Sequence, residues 1–502
     1  MSLLGIDVGS GSCKGVAFNE KGEAICQSSR EYSVRFYKDG RSEIDADLFY
    51  NAAIEVIREI VSKTENDPVE ALSVSSHGET FIAVDKSGGP VMPAIMNSDN
   101  RAAEQAKRWL SLMGREALYE ITGLPLHEMF ALNKILWLKE HQPDLFNKAD
   151  KFISVADYII SRLGGAMCTD YSLASRVMAL DIKAHKWSLP ILSAVGISKD
   201  RFPEPVRSGQ EVGKISAEMS RLTGLSKGVI IATGGHDQPC GALGAGVIKA
   251  GDVSDSAGTY ECMAAISDAP QNTQKALKYS FNSYCHVVDG KYITLAFFPA
   301  GIVTRWFTEQ FCGEDRIKAK EQGKPFHIYL DEQVELLGKK PTNLCVTPHF
   351  VGSCNPYWDP LATGVVAGLT PDTSRLAMYK AIYEGIALEL NINIKALSDV
   401  IGSVDRIKIS GGNSKADFAV ALRANITGKE FCRLDTSETV CRGAAMLAGL
   451  AAGVYSDAES AVSAAVKTTK IYYPDKEITK AYERQIQKYE LLYYSMAEFR
   501  KI

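Results

Sequence analysis

The feature that most constrains this chain is a pattern that occurs twice. Leu3-Leu4-Gly5-Ile6-Asp7-Val8-Gly9-Ser10-Gly11-Ser12-Cys13-Lys14-Gly15-Val16-Ala17-Phe18 runs from an apolar stretch through one aspartate into a turn of Gly and Ser, then out into a second apolar stretch. Two β-prone runs joined by residues that tolerate unusual backbone angles read as a hairpin. At Gly251 the grammar returns: Gly251-Asp252-Val253-Ser254-Asp255-Ser256-Ala257-Gly258-Thr259-Tyr260-Glu261-Cys262-Met263-Ala264 is again strand, small-residue turn, strand. The chain has 502 residues, and single cores stop growing near about 250–300 residues. The repeat therefore reads as an internal duplication, with two halves meeting near residues 245–250.

A turn of this kind presents backbone N–H groups and small hydroxyls, which suit phosphate oxygens. Asp7, at the strand end, is placed to hold a divalent cation bound to that phosphate. A solvated surface hairpin is the alternative. Charge is close to balanced, with 56 Lys and Arg against 60 Asp and Glu; without a long basic run, nucleic-acid binding is not expected. No apolar run of about 20 residues occurs, so no membrane span is expected. Eleven scattered cysteines lack the spacing of a zinc site. With no signal-peptide pattern at the start, they fit reduced thiols in a cytoplasmic protein.

In chain order, 24–32 reads as a third strand, and 47–63 carries apolar residues at helical spacing behind a cap at Asp45 or Asp47. The strand 71–76 ends in His77-Gly78-Glu79-Thr80, and a second polar cluster, Asn97-Ser98-Asp99-Asn100-Arg101, follows 93–96. Open α/β sheets bind ligands beyond the carboxyl ends of their strands. His77, Glu79 and Thr80 are thus candidate substrate contacts, and 97–101 a further wall of the same pocket; a satisfied loop histidine is the plainer reading of His77. Residues 100–163 read as helical. A strand from 228 ends in Gly234-Gly235-His236-Asp237-Gln238, and the small, apolar run 240–247 suits a tightly packed helix. Strands near 279–286 and 292–297, a helix 301–311 and a long helix 371–397 follow the second hairpin. A strand at 407–410 runs into Gly411-Gly412-Asn413-Ser414-Lys415. The tail from Lys476 reads as an amphipathic helix with a solvated face and no further role.

Turns rich in Gly, Ser or Thr thus recur at strand ends, at 9–14, 234–238, 258–259 and 411–415, two in each half. Such a pair of halves suits a ligand gripped between them. A nucleoside triphosphate needs backbone donors for its phosphates and a carboxylate for its metal ion, and phosphoryl transfer needs a base aimed at the accepting hydroxyl. Asp7 and Asp237 meet the two carboxylate requirements, although capping or turn roles are the commoner fate of either alone. No P-loop pattern occurs, and G-x-G-x-x-G fails at Lys14, where its last glycine would stand.

From residue 3 to about 455, these stretches together resemble the FGGY family of carbohydrate kinases. Residues 5–14 look like the family's first phosphate hairpin. Residues 129–141, with Lys134-Ile135-Leu136-Trp137-Leu138-Lys139-Glu140, are similar to its first signature, save Ala131 where Pro, Ser or Thr is usual. Residues 234–238 look like the catalytic-base motif. Gly364-Val365-Val366-Ala367-Gly368-Leu369 followed by Tyr379-Lys380-Ala381-Ile382-Tyr383-Glu384-Gly385-Ile386-Ala387 resembles the second signature, and 410–415 the adenosine motif.

The resemblance implies an α/β fold of two actin-like (ribonuclease-H-like) domains, mixed sheets flanked by helices, with the active site in the cleft between them. Residues 1–247 would bind the sugar and carry the base; residues 248–502 would bind the nucleotide, with ATP and Mg2+ as cofactors. Carried over by position, Asp237 is the catalytic base and Asp7 binds Mg2+. Ser10, Gly11, Ser12 and Lys14 face the β- and γ-phosphates, with Gly258 and Thr259 as a second phosphate turn. Gly301 and Arg305 lie near the nucleotide, and Gly411, Gly412 and Ala416 form the adenosine slot. His77 and Gly78 contact the substrate, and Gln238 stands beside the base. Departures fall where the sugar is chosen: Asn97 replaces a tryptophan of many relatives, and Glu79 adds an acceptor for another hydroxyl. Arg176, in Ala174-Ser175-Arg176, is similar to glycerol kinases, whereas His77-Gly78 and the Gly-Gly-x-Asp-Gln motif look more like xylulose kinases. The charge of Arg176 would also admit a sugar acid.

The expected activity is ATP-dependent phosphorylation of a hydroxyl of a small ketose, polyol or sugar acid, with small molecules as partners and a homodimer compatible with the resemblance. The alternative is a regulatory paralogue that binds sugar and nucleotide without turnover; intact Asp7 and Asp237 argue against it. An ATP-dependent chaperone on the same core would need a peptide-binding domain for which the chain has little room.

Overall fold

The computed structural model describes residues 1–501 and builds them around two mixed sheets. In the first, Ser2–Val8 and Ser12–Phe18 pair antiparallel with Asp7 opposite Lys14, and Ala24–Glu31 extends the meander. The reversal at 9–12 is closed by the Gly9 N–H, which donates to Ser12 O at 2.9 Å. On the other side of Ser2–Val8 lie Val69–Ser76 and then Ile230–His236, all three parallel, with Glu211–Lys214 antiparallel at the edge. The helix Ala46–Lys63 makes the crossover from meander to parallel strands. Asp45 is its cap, accepting from the Asp47 N–H at 3.0 Å. Its apolar stripe, including Phe49, Val56, Ile57 and Ile60, is buried, each such side chain contributing about 1.5–3 kcal/mol.

The second sheet repeats the plan. Val253–Ala257 and Tyr260–Ser267 form the hairpin, and Tyr292–Pro299 and Asn282–Cys285 extend it antiparallel. The long helix Arg375–Ile401 is the crossover. Arg406–Ser410 and Glu430–Leu434 run parallel to Val253–Ala257, and Thr468–Tyr472 closes the edge antiparallel. The duplication read from the hairpins thus extends to the order and sense of whole sheets.

Each sheet's last parallel strand feeds a helix, Asp237–Gly244 in one half and Thr439–Ala451 in the other. The two helices cross backbone to backbone. A Cβ on Gly244 would fall 1.9 Å from Thr439 O, and one on Gly443 would fall 1.9 Å from Cys240 O. No side chain fits there, which accounts for the small residues expected at 240–247. Cys441, Ala445 and Met446 of Thr439–Ala451 pack with Leu3, Val16 and Phe18 of the first sheet, so the halves interlock through this helix.

Two expectations change. Residues 151–153, inside the stretch read as helical, form the strand Lys151–Ile153 against Ile82–Val84; a run this short carries no period to betray it. The C-terminal helix Lys476–Ser495 is docked rather than merely solvated. Tyr482 and Tyr489, two turns apart and buried, donate from their hydroxyls to Glu384 Oε1 at 2.8 Å and Glu389 Oε2 at 2.5 Å. Both carboxylates belong to the long crossover helix. Tyrosine joins an apolar body to a polar tip, so a helix rich in it reads as more solvated than it is. No helix among the described residues is long and apolar enough to cross a membrane.

Candidate active site

Parallel pairing aligns Val8, Ser76 and His236, so three strand ends deliver Gly9, His77 and Asp237 to one edge. Asp7 lies one residue inside that edge. Asp237 is the first residue of its helix, where the partial positive charge of the N-terminus favours a carboxylate. Oδ1 of Asp7 and Oδ1 of Asp237 are buried acceptors without a hydrogen-bond partner, a rare condition in a folded protein. Burial pushes Asp7 up to about 7, with Lys14 pulling it back and Glu438 adding to the rise. Burial, then Asp7 and Glu79, push Asp237 up to about 8. Two carboxyls at one low-dielectric edge resist joint ionisation, and a cation beside them lowers both.

His236 stands beside the second carboxyl. Its N–H donates to Ser172 Oγ at 2.8 Å, and that hydroxyl donates to Asp170 Oδ2 at 2.6 Å. Its ring lies with Nδ1 2.7 Å from the Tyr284 hydroxyl and Nε2 3.2 Å from Asp237 Oδ1. The second approach is off the hydrogen-bond line, which leaves Oδ1 unpartnered. Burial, then Arg176 and His77, hold His236 well below its ordinary range, so the ring is neutral. A proton donated by Tyr284 to Nδ1 leaves the ring's own proton on Nε2, facing Asp237.

On the acceptor side, His77 spends both ring nitrogens on the protein: Nδ1 lies 2.9 Å from Val8 O and Nε2 2.8 Å from Thr80 Oγ1. The plainer reading therefore describes its side chain. Thr80 Oγ1 also accepts the Asn97 N–H at 2.9 Å, so His77 helps to place Asn97. Gly78 gives the room: a Cβ there would meet Arg176 Cγ at 2.8 Å and His236 at 3.0 Å. Glu79, at φ +63°, aims its carboxylate at Arg176, whose Nε donates to Oε1 at 2.6 Å and whose Nη2 reaches the same oxygen. Arg176 is thus not the free positive charge expected from the sequence. Its guanidinium also donates to Asn282 Oδ1 at 3.3 Å and lies over the rings of Phe130 and Tyr284. Within 97–101, Arg101 donates to Asp99 Oδ1 at 2.8 Å and Glu43 Oε1 at 2.6 Å, so those charges serve structure and the side chain of Asn97 is what remains for a pocket.

Among the residues expected to face the nucleotide, Lys14 Nζ donates to Glu438 Oε2 at 2.9 Å, tying the first hairpin to the start of Thr439–Ala451. Ser10 and Gly11 stand exposed and Ser12 half-buried in the turn. In the second half, Gly258 O accepts the Gly301 N–H at 3.1 Å, and Thr259 O accepts the Ala300 N–H at 3.2 Å. Asn413 Nδ2 reaches Gly258 O at 3.5 Å. A Cβ on Gly301 would lie 2.5 Å from Gly258 O, and one on Gly411, itself at φ +90°, 2.7 Å from Ala257 O. The turns 258–259, 300–302 and 411–413 therefore form one glycine-lined wall. Gly412 and Arg305 are exposed on it, Arg305 without an ion-pair partner among the described residues, and Ala416 begins the helix Asp417–Thr427. Cys262 of the second hairpin lies close enough to Asp237 for that carboxylate, after burial, to push its thiol up.

Asp7 and Asp237, with Gln238 half-buried beside the latter, thus gather on one side, and Gly258, Thr259, Gly301, Gly411 and Gly412 on the other. No group of three or more His, Cys, Asp or Glu among the described residues is placed to hold a metal ion. Mg2+ at Asp7 would take its other oxygens from phosphate and water, as this ion commonly does. Sequence reading missed Glu438, Tyr284 and Asn282. None had a signal near it, since the partners of all three come from the other half.

The N-terminal domain model of the FGGY family of carbohydrate kinases matches residues 2–244, and its C-terminal domain model matches 253–452. The chain is similar to the xylulose kinase of Bacillus subtilis (strain 168), 28% identical over 494 residues that cover 98% of this chain and 96% of the relative. It is also similar to the gluconokinase of Bacillus licheniformis, 28% identical, with 96% and 93% covered. Among solved structures, a ligand-bound xylulose kinase from Lactobacillus acidophilus matches with a TM-score of 0.88 at 25% identity, covering 99% of this chain and 98% of that one.

Proposed function

The chain belongs to the FGGY family of carbohydrate kinases, with that family's two actin-like domains, and from that premise we propose that it transfers the γ-phosphoryl group of ATP to a hydroxyl of a small sugar or polyol, with Asp237 as general base and Asp7 facing Mg2+. The observation that carries this reading is the pair of unpartnered buried carboxylate oxygens, Oδ1 of Asp7 and Oδ1 of Asp237, at one strand edge.

Asp237 accepts the proton of the acceptor hydroxyl as its oxygen bonds to the γ-phosphorus and the bond to ADP breaks. His236, neutral and fixed by Tyr284, stands beside that carboxyl. Ser10, Gly11, Ser12 and Lys14 hold the β- and γ-phosphates from one side, and Gly258 and Thr259 from the other. Gly301, Arg305, Gly411, Gly412 and Ala416 house the nucleoside. Gly78, Glu79, Asn97 and Gln238 wall the acceptor pocket, with His77 behind them. Bound Mg2+ supplies charge neutralisation on the phosphates. On this reading residues 1–247 are the acceptor domain and 248–502 the nucleotide domain, and their closure keeps water from the transferring group. The enzyme is cytoplasmic, its partners are small molecules, and a homodimer is the assembly to look for.

ADP release measured across ketoses, polyols and aldonates tests the reading. Release with at least one acceptor, lost in Asp237→Ala, is expected. No release with any acceptor overturns it and leaves a binding protein.

A further inference from the structure

The matched relatives are named for acceptors of different charge, a neutral ketose and an anionic aldonate. The charges around Asp237 separate these two classes. Each cation on the acceptor side is already matched within the protein. Arg176 is 4% exposed and gives Nε and Nη2 to Glu79 and Nη1 to Asn282, while Phe130 and Tyr284 cover its faces. Arg101 is matched by Asp99 and Glu43. Lys134 is fully buried and donates to Met96 O at 2.7 Å; burial brings it down to about 7. Lys14, at the phosphate hairpin, is matched by Glu438. The charged or acid groups there that keep an unpartnered atom are the two carboxyls, at Oδ1 of Asp7 and Oδ1 of Asp237.

An acceptor carboxylate entering this pocket meets like charge and no free cation, and like charges placed together at a buried site are strongly disfavoured. A neutral polyol brings no charge to oppose: its hydroxyl protons suit the carboxyl oxygens, and its oxygens can accept from the amides of Asn97 and Gln238. The backbone of Glu79 is held in the left-handed region although it is not glycine; such conformations persist where the surroundings enforce them, often at ligand sites. Here the conformation delivers the carboxylate to Arg176.

Resting on the kinase reading, we propose that the Glu79–Arg176 pair sets the charge of the acceptor: it cancels the guanidinium of the pocket, selects neutral ketoses or polyols over sugar acids, and conceals an anion site that loss of the Glu79 charge uncovers. Glu79 is a specificity-determining residue on this account, and Arg176 the latent partner of an acceptor carboxylate.

The test is ADP release by the full chain and by Glu79→Gln with D-xylulose, glycerol, ribitol and gluconate, with KM and kcat separated. The unaltered protein is expected to favour its best neutral acceptor over gluconate by at least about tenfold in kcat/KM. Glu79→Gln is expected to lower that ratio by about tenfold or more, with KM for gluconate falling in absolute terms, which a merely loosened pocket would not produce. Gluconate as the best acceptor of the unaltered protein, or an unchanged ratio in a folded Glu79→Gln, overturns the inference and leaves the kinase reading standing. Release with none of the acceptors strikes the kinase reading itself. If Glu79→Gln does not fold, the panel on the unaltered protein decides.

Discussion

The hairpin at the start of each half occupies the same place in the same kind of sheet, and each carries an aspartate with unpartnered oxygen, yet the surroundings of the two acids differ. In the first, Asp7 keeps an unpartnered oxygen at the strand edge, and Asp237 does the same two strands away. In the second, Asp255 and Glu261 are wholly buried. Arg423 gives Nε and Nη2 to Glu261 at 2.9 and 2.6 Å. Asp255 lies 4.0 Å from that already committed Nε, and burial, then Glu261, push it well above the carboxylate range, so it is held neutral. The scaffold was duplicated and the charge was not. One half brings carboxyls to its strand edge; the other, which on the proposed reading supplies backbone donors to the phosphates, keeps its own acids buried.

Four measurements press on that contrast. Asp237→Ala is expected to lower sugar-dependent ADP release by about a thousandfold or more, while nucleotide affinity, read by calorimetry, stays within about threefold; retained turnover would end the assignment of the base. Asp7→Ala is expected to cost about a hundredfold and to flatten the Mg2+ titration of activity; an unchanged titration would move the metal elsewhere.

The third concerns pH. The folded-state value of Asp237, about 8, lies above its ordinary value of 3.8, so the folded chain holds a proton that the unfolded chain releases as pH rises between them, and stability falls across that window. Asp237→Asn should therefore stabilise the ligand-free protein at pH 8 by about 2 kcal/mol, allowing for the screening of a carboxyl that is partly open to solvent. The gain should vanish near pH 4 in thermal melts. For the same reason kcat/KM should rise with pH towards 8, and saturating Mg2+-ATP should move the inflection to lower pH. The smallest effect is expected in the other half. Asp255→Asn replaces a neutral acid by its near-isostere, and kcat should stay within about twofold; a loss comparable to that of Asp7→Ala would show that both halves contribute charge.

What could be read from the sequence was local. The hairpins, the capped helix Ala46–Lys63, the small-residue crossing and the strand-end turns each declare themselves within a few residues, and strand ends of an α/β sheet are where ligands gather. What could not be read were pairings across distance. Glu79 and Arg176 are 97 residues apart and Lys14 and Glu438 are 424 apart, and nothing in either neighbourhood says that the charges cancel. Arg176 consequently read as a free cation, and His77 as either a substrate contact or a satisfied loop histidine. The C-terminal helix shows the same limit: a period tells which face turns inward, and the hydroxyls of Tyr482 and Tyr489 find their carboxylates on a helix about a hundred positions earlier.

Where Gly244 meets Thr439 and Gly443 meets Cys240, the molecule has a pivot with no cushion. The helix that ends at this pivot begins with Asp237. A methyl group added at the crossing would not act only there: it would tilt the helix, and the tilt would emerge at the opposite end as a displacement of Asp237, the proposed base. Distance from the sugar is then a poor guide to which positions tune the reaction. In a protein whose acid stands at the tip of a short arm, leverage is the better one.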